Sequence, residues 1–351
     1  MAKPLTFQGY TCPIPIHPKD TVVLGHGSGG SLSRDLLQRL FLPELGLAAP
    51  RALDDSALLT LDGQRLALTT DSHVVSPLFF PGGDIGRLAV CGTVNDLAMV
   101  GADPIALTCG FVIEEGLPFE LLQRVVASMR EAAEEAGVYF AAGDTKVVQK
   151  GAADGLFINT AGLGGVPAGV DISGANARAG DAILVSGTLG DHGIAVLSAR
   201  EGLDFETDLR SDVAPLNHLV RAMLAAGEIH ALRDPTRGGL ATTLVEIAEQ
   251  SEALIEIREE ALPVKGQVRA ACEMLGFDPL YVANEGKLVA FVRPEDADTI
   301  LAAMRANRYG EEAAMIGQVI SVGKAGVRLQ TAIGGTRLVD MLPGEMLPRI
   351  C

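Results

Sequence analysis

The stretch Thr69 to Pro104, "TTDSHVVSPLFFPGGDIGRLAVCGTVNDLAMVGADP", decides the fold. It opens as the end of an apolar strand, around Leu66 to Thr70, which runs into an acid at Asp71. Proline and glycine then break the pattern, and a helix is predicted from about Asp84 to Val100, stopped at Gly101 as glycine commonly stops helices. A further strand is predicted around Ala57 to Leu61, and a second helix from Pro118 to about Ala136, with proline at its start and Gly137 at its end. "PIALTCGFVI" (104–113), "VYFAAGD" (138–144) and "LFINTAGLGGV" (156–166) read as strands. Hairpin-length gaps mixed with crossovers point to an α+β lobe more than to one wound parallel sheet.

"PAGVDISGANARAGD" (167–181) is short of large apolar residues and reads as a linker. Beyond it the pattern of strand, glycine turn and helix begins again. "AILVSG" (182–187), "KLVAFVR" (287–293) and "GVRLQTA" (326–332) are strands, while "GDHGIAVLSAR" (190–200) and "TRGGLATTLVEIAEQ" (236–250) are helices. A chain of 351 residues is long enough for about two domains with separate cores. The predicted division is an N-terminal arm with a glycine-rich loop (1–45), a first domain (46–168), a second (178–338) and a tail (339–351).

In the arm, "TVVLGHGSGG" (21–30) reads as a strand entering a glycine loop, and "SLSRDLLQRLFL" (31–42) as a helix capped by Ser31. Gly25, Gly27 and Gly30 spell G-x-G-x-x-G, so a nicotinamide-dependent oxidoreductase is one alternative. Its context is poor, because the paired acids of "PRALDDSALL" (50–59) precede an apolar run instead of closing it. A flap facing phosphate, or a plain turn, is the preferred reading. There is no G-x-x-x-x-G-K-[ST] loop.

The net charge of −16 argues against nucleic acid or an anionic membrane as the main partner. With no secretory signal in "MAKPLTFQGY" and no apolar run of spanning length, a cytoplasmic protein is expected. Cys12, Cys91, Cys109, Cys272 and Cys351 lack C-x-x-C spacing, which supports neither a disulfide framework nor a zinc site. Cys91 and Cys109 sit in apolar stretches and are expected in the core.

Acids gather at predicted element ends. Asp55 precedes a strand, Asp71 and Asp144 follow strands, and Asn95 and Asp96 lie in the second half of a helix, where an acid opposes the macrodipole. Mg²⁺ takes hard oxygen ligands, commonly one or two carboxylates together with a substrate's phosphates. Lys146 is placed to neutralise a phosphate, although taken alone a solvated surface lysine is the preferred reading. In the second lobe, Glu285 stands at the mouth of an apolar strand, where a carboxylate can have its pKa raised and serve as a base; an ordinary strand-end acid is the equal alternative. "GDHG" (190–193) and "DPTRGGL" (234–240) put glycines at helix starts, where free N–H groups receive anions. His192 reads as a ligand or, more commonly, a core or capping histidine.

The chain stops at "EMLPRIC" (345–351), with a cysteine as its last residue. Termini are poorly ordered, so a terminal thiol has little packing role. The stretch from Val339 to Cys351 contains Pro343, Gly344 and Pro348, which neither helix nor central strand tolerates. Extended, it spans roughly 40 Å.

Together "GHGSGG", the stretch quoted first, "GDTKVV" (143–148), "VSGTLGDHGIAVL" (185–197), "RDPTRGGLATTL" (233–244), "NEGKL" (284–288) and the closing "LPRIC" resemble the HypE-type hydrogenase maturation family. That family lies within the aminoimidazole-ribotide-synthetase-like (PurM-like) ATP-binding superfamily. The resemblance implies an α+β, two-domain PurM-like architecture. Its N-terminal mixed sheet with helices would dimerise and bind ATP and Mg²⁺, its C-terminal domain would be an α/β sandwich, and its tail would be flexible. It implies a carbamoyl dehydratase: Cys351 receives a carbamoyl group from a HypF-type carbamoyltransferase. ATP then drives dehydration of the S-carboxamide to a thiocyanate, and the cyanide passes to iron on a HypC–HypD-type complex. Cys351, Glu285 and Lys146 carry over as catalytic residues. Gly27, Ser28, Asp55, Asp71, Asn95, Asp96, Asp144 and Thr145 carry over as nucleotide-binding residues. Asp55, Asp71, Asp96, Asp144 and Asp234 carry over as metal residues, and Arg349 would steer the tail. The nearest rival is a superfamily kinase or synthetase acting on a free small molecule; another is a scaffold whose tail only docks a partner.

Overall fold

The computed structural model describes residues 21–46, 53–202, 208–342, 347 and 349–351. In the first domain β1 (Ala57–Leu61), β2 (Gln64–His73), β3 (Asp103–Glu114), β4 (Tyr139–Val148) and β5 (Leu156–Gly165) form one sheet in the order β1-β2-β5-β3-β4. β3 and β4 run parallel, and the other neighbours are antiparallel. Two helices serve this sheet: α1 (Ile85–Met99) joins β2 to β3, and α2 (Phe119–Ala136) makes the crossover that the parallel pair requires.

One face of the sheet is covered and the other is open. Ala67, Thr69 and His73 of β2 are buried, while Leu68, Thr70 and Ser72 between them are exposed; β5 alternates in the same way. α1 lies on the covered face. Its Thr93 and Leu97 sit against Gly162 of β5, and its Gly86 against Val125 and Met129 of α2. Ala98 and Met99 join a core of the second domain. Only Arg87 and Asp96 of α1 escape burial, so the helix is apolar all round because it has neighbours all round. Asp84 caps it by accepting from the N–H groups of Gly86 (2.7 Å) and Arg87 (3.2 Å).

Among the described residues the second domain is built on seven strands: β6 (Ala182–Val185), β7 (Ile229–Arg233), β8 (Ala253–Arg258), β9 (Val289–Val292), β10 (Ala314–Val322), β11 (Gly326–Gln330) and β12 (Thr336–Val339). Their order is β12-β11-β8-β10-β6-β9-β7. Accompanying them are α3 (Asp191–Glu201), α4 (Asn217–Ala226), α5 (Gly239–Gln250), α6 (Gly266–Leu275) and α7 (Ala297–Arg305). Ile183, Val185 and Phe291 join a core with Leu240, Leu244 and Ile247 of α5. Leu184, Ala290 and Val292 join another with Leu219 and Met223 of α4 and Ile300 of α7. Strands covered on both faces read as the unbroken apolar runs "AILV" and "VAFV".

Several boundaries differ from the sequence reading. Residues 21–23 are not a strand: they have no sheet partner, and Leu24–Gly27 form a 3₁₀ turn, which removes the strand that a dinucleotide turn would need. The arm helix starts at Ser31 with Gly30, not Ser31, as its N-cap. β2 continues past Asp71 to His73 and β4 past Asp144 to Val148, so both acids lie inside strands. Cys91 is buried in the first core, Cys109 only partly so; Cys12 lies outside the described residues.

Candidate active site

The C-terminus folds back into the cleft between the domains. The Arg349 carbonyl accepts from Ser76 N–H (3.3 Å) and the Arg200 guanidinium (2.6 Å), and the C-terminal Cys351 oxygen accepts from Val74 N–H (3.0 Å). Arg349 donates Nε–H to the Val74 carbonyl (3.0 Å), pairs with Asp154, and lies 5.8 Å from the Phe157 ring centroid. Its backbone is in the left-handed region (φ 51°), a conformation an arginine holds only where its surroundings fix it. Ile350 is buried, and its carbonyl lies 2.8 Å from His192 Nε2. Burial pushes the His192 pKa down, so the ring is neutral: Nε2–H donates to Ile350, and Nδ1 accepts from Ser211 Oγ at 2.8 Å.

Cys351 lines a cavity of about 150 Å³ together with Gly27 and Ser28 of the arm, Ser72, Val74, Arg237 and Gly238. Burial pushes its thiol up to about 12; Arg237 pulls the other way, and Glu285, Asp71 and Asp234 add to the rise. The docked thiol is therefore protonated at neutral pH. Arg237, whose guanidinium donates to the Gly27 carbonyl (2.8 Å), is the cation shared by the thiol and the acids. It stands inside the quoted "DPTRGGL", where the glycines drew the reading and the cation just before them did not.

Asp71, Asp96 and Asp234 are drawn together. Burial first, then mutual repulsion, holds Asp96 well above the usual carboxylate range and pushes Asp234 up to about 6. Asp71 accepts from Ser72 N–H (2.7 Å) and lies 3.4 Å from His73 Nε2; Gly92 of α1 leaves the room, since a Cβ there would come within 3.0 Å of the His73 ring. Asp96 Oδ2 accepts from the Thr69 hydroxyl (2.8 Å). Asp55 belongs to the same electrostatic group but is ion-paired with Arg233 at 3.1 Å across the domain boundary. Among the described residues no three His, Cys, Asp or Glu side chains converge to cage a metal.

Glu285 is 4 % exposed and its Oε1 has no partner. Burial, then Asp234, Asp71 and Asp212, hold its pKa well above the ordinary carboxylate value, against the pull of Arg237. The loop carrying it is tightly specified. Asn284 donates to the Pro235 and Val282 carbonyls (3.0 and 3.1 Å) and accepts from Gly190 N–H (2.7 Å). Gly286 is obligatory, because a Cβ would fall 1.9 Å from the Asp212 carbonyl oxygen.

Two groups of sequence candidates stand elsewhere. Asn95 is fully engaged with protein: it donates to the Ala214 and Glu285 carbonyls (3.0 and 3.4 Å) and accepts from Leu216 N–H (2.8 Å). It ties α1 to the second domain instead of facing a nucleotide. Asp144, Thr145 and Lys146 lie on exposed β4, where Lys146 Nζ is 2.5 Å from Asp144 and holds that carboxyl below its usual range. Across the sheet Asp144 is in register with Gly110, Asn159 and Ser72 on the open face, whereas Asp71 is in register with Thr160 on the covered one. Within one chain, Lys146 and Asp71 are thus separated by the sheet.

This architecture, with a terminal thiol and a carboxylate group in the cleft between two α+β domains, defines a class. Residues 53–166 match the AIR synthase related protein N-terminal domain, and residues 178–330 its C-terminal domain. Within that class, the carbamoyl dehydratase HypE of Cupriavidus necator is 54 % identical over 98 % of this chain and 98 % of its own length. A crystal structure of a HypE–HypF complex aligns with TM-score 0.83 and 51 % identity, covering 88 % of this chain and 99 % of that one. One of the hydrogenase maturation protein HypE in complex with ATP aligns with TM-score 0.80 and 54 % identity over 94 % and 100 %. The chain belongs to the HypE carbamoyl dehydratase family of hydrogenase maturation. Among the described residues no helix is long and apolar enough to cross a membrane.

Proposed function

We propose that this protein dehydrates, at the expense of ATP, a carbamoyl group carried on its own Cys351, and that the docked tail is the substrate in place. The observation that carries this is the position of the terminal thiol, in a cavity with Arg237 and within electrostatic reach of Glu285, Asp71 and Asp234. A group on that sulfur enters the cleft without binding energy of its own, at the high effective concentration a tether provides.

Oxide does not leave a carboxamide, so the carbonyl oxygen first attacks the γ-phosphate of ATP. Glu285 takes the two N–H protons in turn, one as the oxygen is phosphorylated, which it passes to the phosphoryl group, and one as the C–O bond breaks; phosphate departs with the oxygen, and S–C≡N remains on the chain with ADP as co-product. The raised pKa of Glu285 suits a proton acceptor near neutrality. Arg237 and Lys146 offset charge on the phosphoryl oxygens.

Mg²⁺ suits Asp71, Asp96 and Asp234. They are hard oxygen donors whose mutual repulsion calls for a cation, and Mg²⁺ commonly joins one or two carboxylates to a substrate's phosphates. Bound there, it would spread the charge of the triphosphate. Asp55 and Asp144 are assigned to the nucleotide region, with Gly27 and Ser28 as the flap over it.

A homodimer through the open sheet face answers the separation of Lys146 from Asp71. That face exposes Leu68, Val112 and Leu163 beside Asp144 and Lys146; Lys146 is level with Phe157, past the end of β2, so with a second copy laid on the open face it would reach its partner's Asp71 around the strand ends, not through the sheet. A HypF-type carbamoyltransferase is the proposed donor to Cys351, and a HypC–HypD-type iron complex the acceptor of cyanide, in the cytoplasm. Deleting residues 347–351 tests the reading: thiocyanate formation should vanish with ATP binding retained, whereas an enzyme acting on a free small molecule keeps its activity.

A further inference from the structure

Between residue 208 and α4 the chain has no regular structure, yet three consecutive residues there touch the imidazole that holds the tail, the peptide that carries Glu285, and α1. Ser211 Oγ meets His192 Nδ1 at 2.8 Å, and the other side of that ring holds the Ile350 carbonyl. Asp212 Oδ1 accepts the backbone N–H of Glu285 at 3.0 Å, while its Oδ2 faces Lys287 Nζ at 3.3 Å; the Asp212 side chain is only 1 % exposed. Val213 accepts Arg87 Nε–H from α1 at 3.1 Å. Ser211 N–H is anchored on the Pro81 carbonyl (2.8 Å), and Val213 N–H on Ser211 Oγ (3.2 Å).

From this geometry we infer that Ser211–Asp212–Val213 is a strut that sets the base against the tail, with Asp212 and Ser211 as positioning residues for the dehydration. Neither touches the reacting group. Asp212 fixes the peptide that carries Glu285, and Ser211 fixes the imidazole that carries Ile350, so base and thiol are held from one rigid piece of backbone. Lys287, 3.3 Å away, holds the Asp212 carboxylate in place. A buried carboxylate spent on a backbone N–H is costly unless it is paired, and Lys287 provides the pairing. Misplacement of about 1 Å suffices to slow such a step by roughly a hundredfold.

The inference rests on Glu285 acting as the base, and the test separates the two. Full-length protein carbamoylated on Cys351 is given saturating Mg-ATP, and single-turnover loss of water is followed by mass spectrometry of the C-terminal peptide. Asp212→Ala should slow conversion by about tenfold to a hundredfold without changing the ATP concentration for half-maximal rate. Asp212→Asn still accepts from Glu285 and should recover to within a few-fold of wild type. If Asp212→Ala strands Lys287 and does not fold, Asp212→Ala/Lys287→Met and Asp212→Asn/Lys287→Met carry the same comparison. Asn as slow as Ala, or Ala as fast as wild type, overturns the strut while an inactive Glu285→Gln leaves the base standing. An active Glu285→Gln overturns the base and the strut together.

Discussion

His192 Nε2 lies 2.8 Å from the carbonyl oxygen of Ile350, so the residue before the terminal thiol is held by a buried, neutral imidazole. The bond joins the start of the second domain's first helix to the last peptide of the chain. With the bonds from Val74, Ser76 and Arg200, it is one of the contacts that hold the tail on the core.

Removing that contact should loosen the tail. With the docked thiol pushed up to about 12, alkylation proceeds from undocked molecules, which carry the thiolate. A buried hydrogen bond contributes about 1–1.5 kcal/mol, so His192→Ala should raise the rate of Cys351 alkylation by iodoacetamide roughly tenfold. An unchanged rate means that the imidazole does not hold the tail.

Glu285→Gln should abolish dehydration and stabilise the fold. The folded-state pKa of Glu285 is raised above an unfolded value of about 4.3. Between those two pKa values the native state holds the extra proton, so stability falls as pH rises. Gln does not titrate. Its advantage should be absent near pH 4 and grow to about 1–3 kcal/mol above the folded pKa, as expected when a partnerless buried charge is removed. Thermal unfolding of both proteins across pH checks this; a Gln variant less stable at pH 8 contradicts it.

The shared site predicts complementation. Asp71→Asn and Lys146→Ala should each be inactive alone. Unfolded together and refolded, they should regain roughly a quarter of wild-type activity, because half of the dimers are mixed and each mixed dimer has one intact site. No recovery would place Asp71 and Lys146 in one chain's site or in none.

Local signals were legible in the sequence, and contacts between distant segments were not. Gly101, Pro118 and Gly137 marked helix ends because a helix stop is a property of a few neighbouring residues. Strand lengths were harder: Asp71 and Asp144 look like terminators, but both strands continue because their neighbours supply backbone partners. The run "TVVLG" has strand composition and no strand to pair with. At the site, Glu285 and Cys351 were visible from their placement. Arg237, Asp212 and the bond from His192 to Ile350 join segments more than 70 residues apart or depend on docking of the tail, and no spacing rule reports them. Asn95 stood beside Asp96 among the nucleotide candidates, but its side chain is taken up by the domain junction.

The most direct test of the account is the mass of the C-terminal peptide after the Cys351-carbamoylated protein is incubated with Mg-ATP. The account predicts loss of one water from the carbamoyl adduct, with the group still on Cys351 and one ATP consumed for each conversion. A carbamoyl adduct that keeps its mass while ATP is hydrolysed, or loss of water without ATP, would contradict it.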